Sequence, residues 1–147
     1  MMNALQYSCL DFGSELQLKS IELRRKVLRV PLGLDFTQEE LDQEDDQVHI
    51  AALEGNNIIA ILLFVLDAKN QKVKMRQVAV DPAYQGTGVG KQLVEFSEQW
   101  CKDNGFKKIE LHARASVLPF YEKMNYAVFG DTFMEVGIPH FKMVKSL

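Results

Sequence analysis

The chain has 147 residues, of which 47% are hydrophobic and 25% are charged, and this composition is ordinary for one globular domain, which we predict over residues 1–147. The formal net charge of −3 at pH 7 argues against a nucleic-acid-binding protein. No apolar run approaches the roughly eighteen residues of a membrane span, and the N-terminus lacks the basic-then-apolar order of a signal peptide, so we expect a cytoplasmic protein without a membrane partner.

Two helices are predicted in the first third of the chain. Ser14 begins an S-x-x-Q capping pattern, and apolar residues then recur near helical spacing for about sixteen residues, up to Pro31. Thr37 begins a second capping pattern before a short acidic helix at residues 39–46, and the breakers at residues 31–34 predict a loop between the two helices. The first helix carries four basic residues, which form either a solvated face or a docking point for an anionic substrate group: Arg24, Arg25, Lys26 and Arg29.

Three strands are predicted next, at residues 48–53, 58–66 and 73–80. Turn-forming residues at 54–57 and a polar stretch at 67–71 separate them, which is typical of an antiparallel meander. The second strand is continuously apolar, so we expect it to lie at the centre of the sheet.

A glycine-rich turn follows the third strand, which ends Val78-Ala79-Val80. Three glycines in five positions, at 86, 88 and 90, allow a ligand to approach the backbone closely, and the helix start beyond them offers unpaired N–H groups to an anion. A Walker loop is excluded, because Gln85 stands at its first glycine position and Lys91 is followed by Gln92. A dinucleotide fingerprint is disfavoured, because Lys91 replaces its third glycine.

The glycine turn opens an amphipathic helix with Val89, Leu93, Phe96 and Trp100 on one face and Asn104-Gly105 at its end. Cys101 lies in this apolar helix and is far from Cys9, so we expect two reduced thiols and no metal site. A strand at residues 108–114 completes a crossover, which predicts a mixed sheet.

A second motif follows, in which three residues separate Phe120-Tyr121 from Asn125-Tyr126. Two further strands are predicted from residue 127 onward and at residues 141–145, around glycines 130 and 137.

Together these segments resemble the GNAT superfamily of acyl-CoA-dependent N-acyltransferases. The pattern Q-x-x-G-x-G at residues 85–90 is similar to the acetyl-CoA loop of that family, and Phe120-Tyr121 is followed by Asn125-Tyr126 where Gly-Phe is usual; Asn tolerates the left-handed conformation that Gly supplies at a helix end. The resemblance covers roughly residues 48–145. It implies an α/β (α+β) fold with a mixed, mostly antiparallel sheet of six to seven strands flanked by about four helices.

The resemblance also implies acetyl-CoA as co-substrate, without a metal. Backbone N–H groups at 86–91 would bind the CoA diphosphate, the strand end would pair with pantetheine, and the N–H of Val80 or its neighbour would bind the oxyanion. Gln85 lacks the charge of the arginine that the family also uses, and Lys91 either offsets this or is simply solvated. The expected cofactor-binding residues are Val78, Ala79, Val80, Gln85, Gly86, Thr87, Gly88, Val89, Gly90 and Lys91.

For catalysis, the resemblance points to Tyr121 as the general acid that protonates the CoA sulfur; the alternative is an aromatic residue that only packs. The general base is open among Glu135, His140 and the segment Asp45-Asp46 with His49, and ordered water is a further candidate. His112, on the strand at residues 108–114, is expected to be a satisfied core histidine or to line a gap between strands.

The predicted function is transfer of an acetyl group from acetyl-CoA to a primary amine of a small molecule or protein. The alternatives are a non-catalytic acyl-CoA-binding or sensing module and a plain interaction domain. The acceptor site is expected at residues 20–46 and 130–140, and the sequence leaves a homodimer open.

Overall fold

A computed structural model describes residues 5–147, which form a single mixed sheet with helices on both faces. Its seven strands run in the order β1-β2-β3-β4-β5-β7-β6. β4 and β5 are parallel, and the other neighbouring pairs are antiparallel. The predicted mixed, mostly antiparallel sheet is thus confirmed. The strands are β1 Gln6–Leu10, β2 Val48–Glu54, β3 Asn57–Asp67, β4 Lys72–Val80, β5 Lys108–Arg114, β6 Ala127–Glu135 and β7 Ile138–Ser146.

The four α-helices are α1 Glu15–Arg24, α2 Gln38–Asp42, α3 Val89–Asp103 and α4 Leu118–Lys123. Both predicted helix starts are confirmed, because the Ser14 side chain accepts a hydrogen bond from the Gln17 N–H and Thr37 forms a capping box with Glu40. None of the described helices has the length and apolar character needed to cross a membrane.

The first helix is shorter than predicted. It ends at Arg24 and continues as a π-helical turn, Arg25–Arg29, and a 3-10 turn, Val30–Leu32. Pro31 accounts for part of this change, because it has no N–H to donate and its ring crowds the carbonyl four residues earlier. The chain then leaves the helix at Gly33, which has φ +69°.

The apolar face of α3 differs from the prediction at one position. The helix buries Val89, Leu93, Val94, Ser97 and Cys101, whereas Phe96 is 36% exposed. Phe96 instead stacks on Tyr7, with ring centroids 5.8 Å apart. Tyr7 belongs to β1, a short, half-exposed strand that the sequence analysis missed and that carries the exposed Cys9.

The core has two layers, one on each face of the sheet. The larger layer lies under α3 and α4, and a smaller one, including Leu23 and Ala51, lies under α1. β3 contributes buried residues to both layers, for example Leu62 and Ile61, which confirms its central position.

β4 and β5 separate partway along their length. Their ladder pairs Lys72 with Lys108 and ends at Met75 and Leu111. Beyond that point β4 continues alongside β3 with a bulge, in which Gln77 has a left-handed φ of +57°. The second half of β4 therefore has a strand partner on one side only, and a gap opens on the other.

Candidate active site

A cleft of about 890 Å³ opens where β4 and β5 separate. The glycine turn, α4, the end of β5, the β6–β7 hairpin and the π-helical turn after α1 form its walls. Most of the residues predicted for the site line this one cleft: Val78, Ala79, Val80, Gln85, Gly86, Gly88, Gly90, Lys91, Tyr121, Glu135 and His140. Thr87 and Val89 do not line it. The Thr87 hydroxyl donates to the Tyr84 carbonyl, and Val89 is buried in the core.

The glycine turn has the conformation that its sequence requires. Gly86 and Gly88 have φ values of +79° and +88°, which L side chains rarely adopt, and Gly88 is the N-cap of α3. The Gln92 N–H donates to the Gly88 carbonyl at 3.0 Å, so the N–H groups of residues 89–91 have no acceptor inside the helix. The turn thus presents unpaired donors at the positive end of a fifteen-residue helix.

The side chains around this turn are partly engaged within the protein. The Gln85 amide donates to the Val80 carbonyl at 3.1 Å, which ties the turn to the end of β4. Lys91 is largely exposed and lies 3.8 Å from Glu95.

The free edge of β4 offers backbone groups to the cleft. Asp81 donates its N–H to the Ile59 carbonyl at 2.8 Å, and Val80 lies opposite Ala60. Because successive residues of a strand point their N–H groups to opposite edges, the Val80 N–H faces away from β3 and toward the gap. A donor is therefore available where an oxyanion or an extended ligand would lie.

Tyr121 is a buried tyrosine at the wall of the cleft, 6% exposed. Its ring packs edge-on against Phe120 and Tyr126, at centroid distances of 5.0 and 5.6 Å. Burial raises the pKa of the Tyr121 phenol, so the group keeps its proton at neutral pH. No protein group among residues 5–147 forms a hydrogen bond with its hydroxyl, whereas the Tyr126 hydroxyl donates to Glu98 at 2.8 Å.

Glu135 lies between two histidines in the cleft. Its carboxylate is 3.4 Å from Nδ1 of His112 and 3.4 Å from Nε2 of His140. His140 Nδ1 donates to the Ile138 carbonyl at 2.7 Å, and the Phe133 ring packs against both imidazoles. Burial, and then nearby Lys74, lowers the pKa of His112, while Glu135 opposes the shift.

The other candidates for the general base lie elsewhere. His49, Asp45 and Asp46 do not line the cleft. His49 is buried with its Nε2 at 3.0 Å from the Glu44 carbonyl, and burial lowers its pKa. The structure therefore brings Glu135 and His140 to the cleft, together with His112, and leaves the acidic segment outside.

The expectation of a solvated basic helix face is wrong for Arg24. This side chain is completely buried and forms two hydrogen bonds to Glu44, of 2.8 and 2.7 Å, while its Nε donates to Gln77 in the bulge at 3.2 Å. Arg25 pairs with the exposed Asp35 at 2.6 Å. Arg29 alone of the four lines the cleft, with its guanidinium 4.6 Å above the Phe36 ring.

No group of three or more His, Cys, Asp or Glu side chains in the described part of the chain has an arrangement that would hold a metal ion.

Comparison with known proteins places this geometry in context. The sequence model described as acetyltransferase (GNAT) domain matches residues 31–147. An uncharacterized N-acetyltransferase of Bacillus subtilis, YjcF, is 28% identical over 111 residues, covering 74% of this chain and 78% of the relative. Two other Bacillus subtilis relatives are 32% and 33% identical, but the chain spans about half of their length.

Solved structures share the fold along nearly the whole chain. An acyl-CoA N-acyltransferase from Pseudomonas aeruginosa superposes with a TM-score of 0.82 at 23% identity, covering 97% of this chain and 99% of that one. An aminoglycoside 6′-N-acetyltransferase complexed with coenzyme A has a TM-score of 0.81 at 15% identity, covering 96% of each chain. At these identities the likeness concerns the fold.

Proposed function

Because the chain belongs to the GNAT acetyltransferase family, we propose that it transfers an acetyl group from acetyl-CoA to a primary amine, with Tyr121 as the general acid. The observation that supports this proposal is that the glycine turn, the free edge of β4 and Tyr121 all open on one cleft. These are a site for phosphates, a site for an extended chain and a proton donor, which is the set that a thioester of coenzyme A requires.

The coenzyme is bound chiefly by backbone groups in this proposal. The N–H groups of residues 86–91 and the N-terminus of α3 bind the diphosphate. The pantetheine arm lies along β4 from Val80 to Val78 and takes the place of the missing strand partner. This arrangement positions the thioester carbonyl near the Val80 N–H and its sulfur near Tyr121.

The amine must lose a proton before it can attack. An alkylamine with a pKa near 10.4 is unprotonated in only about one molecule in 2,500 at pH 7, which costs roughly 4.6 kcal/mol. Glu135 is the carboxylate in the cleft, and His112 and His140 flank it within 3.4 Å. Glu135 accepts the first amine proton, directly or through water, and the unprotonated Nε2 of His140 then takes this proton from Glu135 and passes it on.

The free amine nitrogen then forms a bond to the thioester carbon, and the Val80 N–H stabilises the oxyanion. The carbon–sulfur bond breaks as Tyr121 donates its proton to the sulfur. The nitrogen releases its second proton, which returns through water to the Tyr121 oxygen. The sum is one amide and one free CoA thiol from one amine and one thioester. Orientation of the two reactants contributes about 7–11 kcal/mol of the acceleration.

The test is to incubate the protein with acetyl-CoA and a panel of amines and to follow both the free CoA thiol and the N-acetyl product by mass spectrometry. Calorimetric titration with CoA measures binding separately. Thiol and product appearing in equal amounts supports the proposal. Binding of CoA without product from any amine would instead indicate a sensing module, and no binding of CoA would overturn both.

A further inference from the structure

The acceptor side of the cleft is strongly basic. Five cationic side chains line the cleft, against one carboxylate, Glu135. Lys91 belongs to the glycine turn; the other four are Arg29, Lys74, Arg76 and Arg114. The whole chain has a net charge of −3, so this excess of positive charge is a local feature of the cleft and not a property of the protein surface in general.

Most of these cations have no carboxylate partner within the protein. Arg76 lies 3.3 Å from Glu44 and 3.1 Å from the Gln47 side chain, so its charge is partly compensated. Within residues 5–147, Arg29, Lys74 and Arg114 have no carboxylate within 4 Å. Arg29 and Arg114 are also half-buried, and a partly desolvated, unpaired guanidinium is a strong site for an anion.

The phosphates of coenzyme A do not account for these cations. Lys74 precedes Val80 by six residues, about 20 Å along the strand. Val78 and Val80 pack on the core layer under α3, whereas Lys74 projects from the opposite face, toward α1. Arg114 follows Ala113, which packs on the same core layer under α3, so Arg114 shares the face of Lys74. The diphosphate site at residues 86–91 is therefore separated from Lys74 along the strand, and from both cations across the sheet.

The sheet register places one of these cations beside the candidate base. Arg114 lies directly opposite His140 in the β5–β7 pair, with the Cα atoms about 5 Å apart. His140 contacts Glu135. A carboxylate that attracts an ammonium group and a guanidinium that attracts an anion are thus both neighbours of His140, and this arrangement fits a molecule that carries both charges.

Resting on the proposed function, we propose that the acceptor amine also carries an anionic group, a carboxylate or a phosphate, which binds to Arg114. Arg29 and Lys74 add long-range attraction at the mouth of the cleft. Acceptors of this class are amino acids, acidic peptides and phosphorylated amines.

The experiment compares matched acceptors that differ only in the acid. L-Amino acids are compared with their carboxamides, and O-phosphoethanolamine with ethanolamine, so the two arms distinguish a carboxylate from a phosphate. In at least one arm we expect kcat/KM to be higher for the acidic member by about tenfold or more. Added salt should reduce this ratio.

Two variants separate the role of Arg114 from net charge. Arg114→Gln should bring the ratio of kcat/KM values toward one while the KM for acetyl-CoA is unchanged. Lys107→Gln removes the same charge from an exposed position outside the cleft and should leave the ratio as it is. Equal rates for the members of both pairs, or a ratio that Arg114→Gln does not alter, would overturn the inference.

The inference can fail independently of the proposed function. If amines are acetylated without preference for the acidic members, only the inference falls. If no amine is acetylated, calorimetry on the CoA-bound protein decides between the outcomes. Binding of an acidic member without binding of its neutral partner supports the anionic site. If neither member binds, the anionic site is refuted.

Discussion

Arg24 on α1 and Glu44, in the 3-10 turn after α2, are joined by two hydrogen bonds inside the protein, and neither side chain is more than 4% exposed. The same guanidinium donates to Gln77 in the bulge of β4. One buried ion pair therefore fixes the N-terminal helices relative to the strand that borders the cleft.

Removing one member of this pair should be costly, because it leaves an uncompensated charge in the interior. We expect Glu44→Ala to lower the free energy of unfolding by about 3–5 kcal/mol, measured by urea denaturation. Glu22→Ala is the control, since Glu22 pairs with Arg25 at an exposed site. A similar loss in both variants would contradict the special role of the buried pair.

Gly88 and Gly105 provide a matched test of the glycine turn. Both have left-handed φ values, +88° and +82°, and no atom lies within 4 Å of an added Cβ at either position. Aspartate should strain the backbone to a similar extent at the two sites, about 1–3 kcal/mol. Only Gly88→Asp adds a negative charge where phosphate is proposed to bind, so calorimetry should show CoA binding abolished there and kept in Gly105→Asp.

Tyr121 and Tyr126 are neighbouring buried tyrosines with different expected roles. Tyr121→Phe should reduce turnover by about 10²–10⁴ with CoA affinity kept, because a proton donor is lost. Tyr126→Phe should preserve turnover per folded molecule and cost about 1–3 kcal/mol of stability, because Glu98 loses a buried donor. If turnover is unchanged in Tyr121→Phe, water and not Tyr121 delivers the proton to the CoA sulfur.

His49 should make stability depend on pH. Burial lowers the pKa of His49 in the folded protein below its ordinary value near 6.5, so the unfolded chain binds the proton more readily. The stabilisation is complete above about pH 6.5 and is lost as the pH falls toward the folded pKa. His49→Gln cannot titrate. Its urea midpoint should therefore fall less than that of the parent between about pH 7.5 and 5, and identical profiles would refute the assignment.

The parts of the molecule that could be predicted are those set by neighbouring residues. The helix caps at Ser14 and Thr37 and the glycine turn depend on a few consecutive positions, and Asn125 adopts the expected left-handed φ, +71°. The parts that could not be predicted depend on distant pairing. Arg24 is buried because Glu44, twenty positions later, faces it.

The cluster of His112, Glu135 and His140 in the cleft also depends on pairing between distant segments. His112 meets Glu135 only because β5 pairs with β7 and β7 with β6 in one register. Nothing in the residues around His112 specifies that register, so the sequence alone predicts either a core histidine or one that lines the gap. Phe96 was misplaced for a similar reason, since its partner Tyr7 lies on β1.

The two cysteines differ in a way that bears on how the protein can be followed in solution. Cys101 is enclosed in the α3 interface, where burial raises its pKa to about 12, while Cys9 is exposed. A thiol-specific dye should therefore label one site per chain at once and reach the other only when α3 detaches from the sheet. In Cys9→Ser, the labelling rate of Cys101 therefore measures how often the core opens. A ligand that binds at the start of α3 should lower this rate.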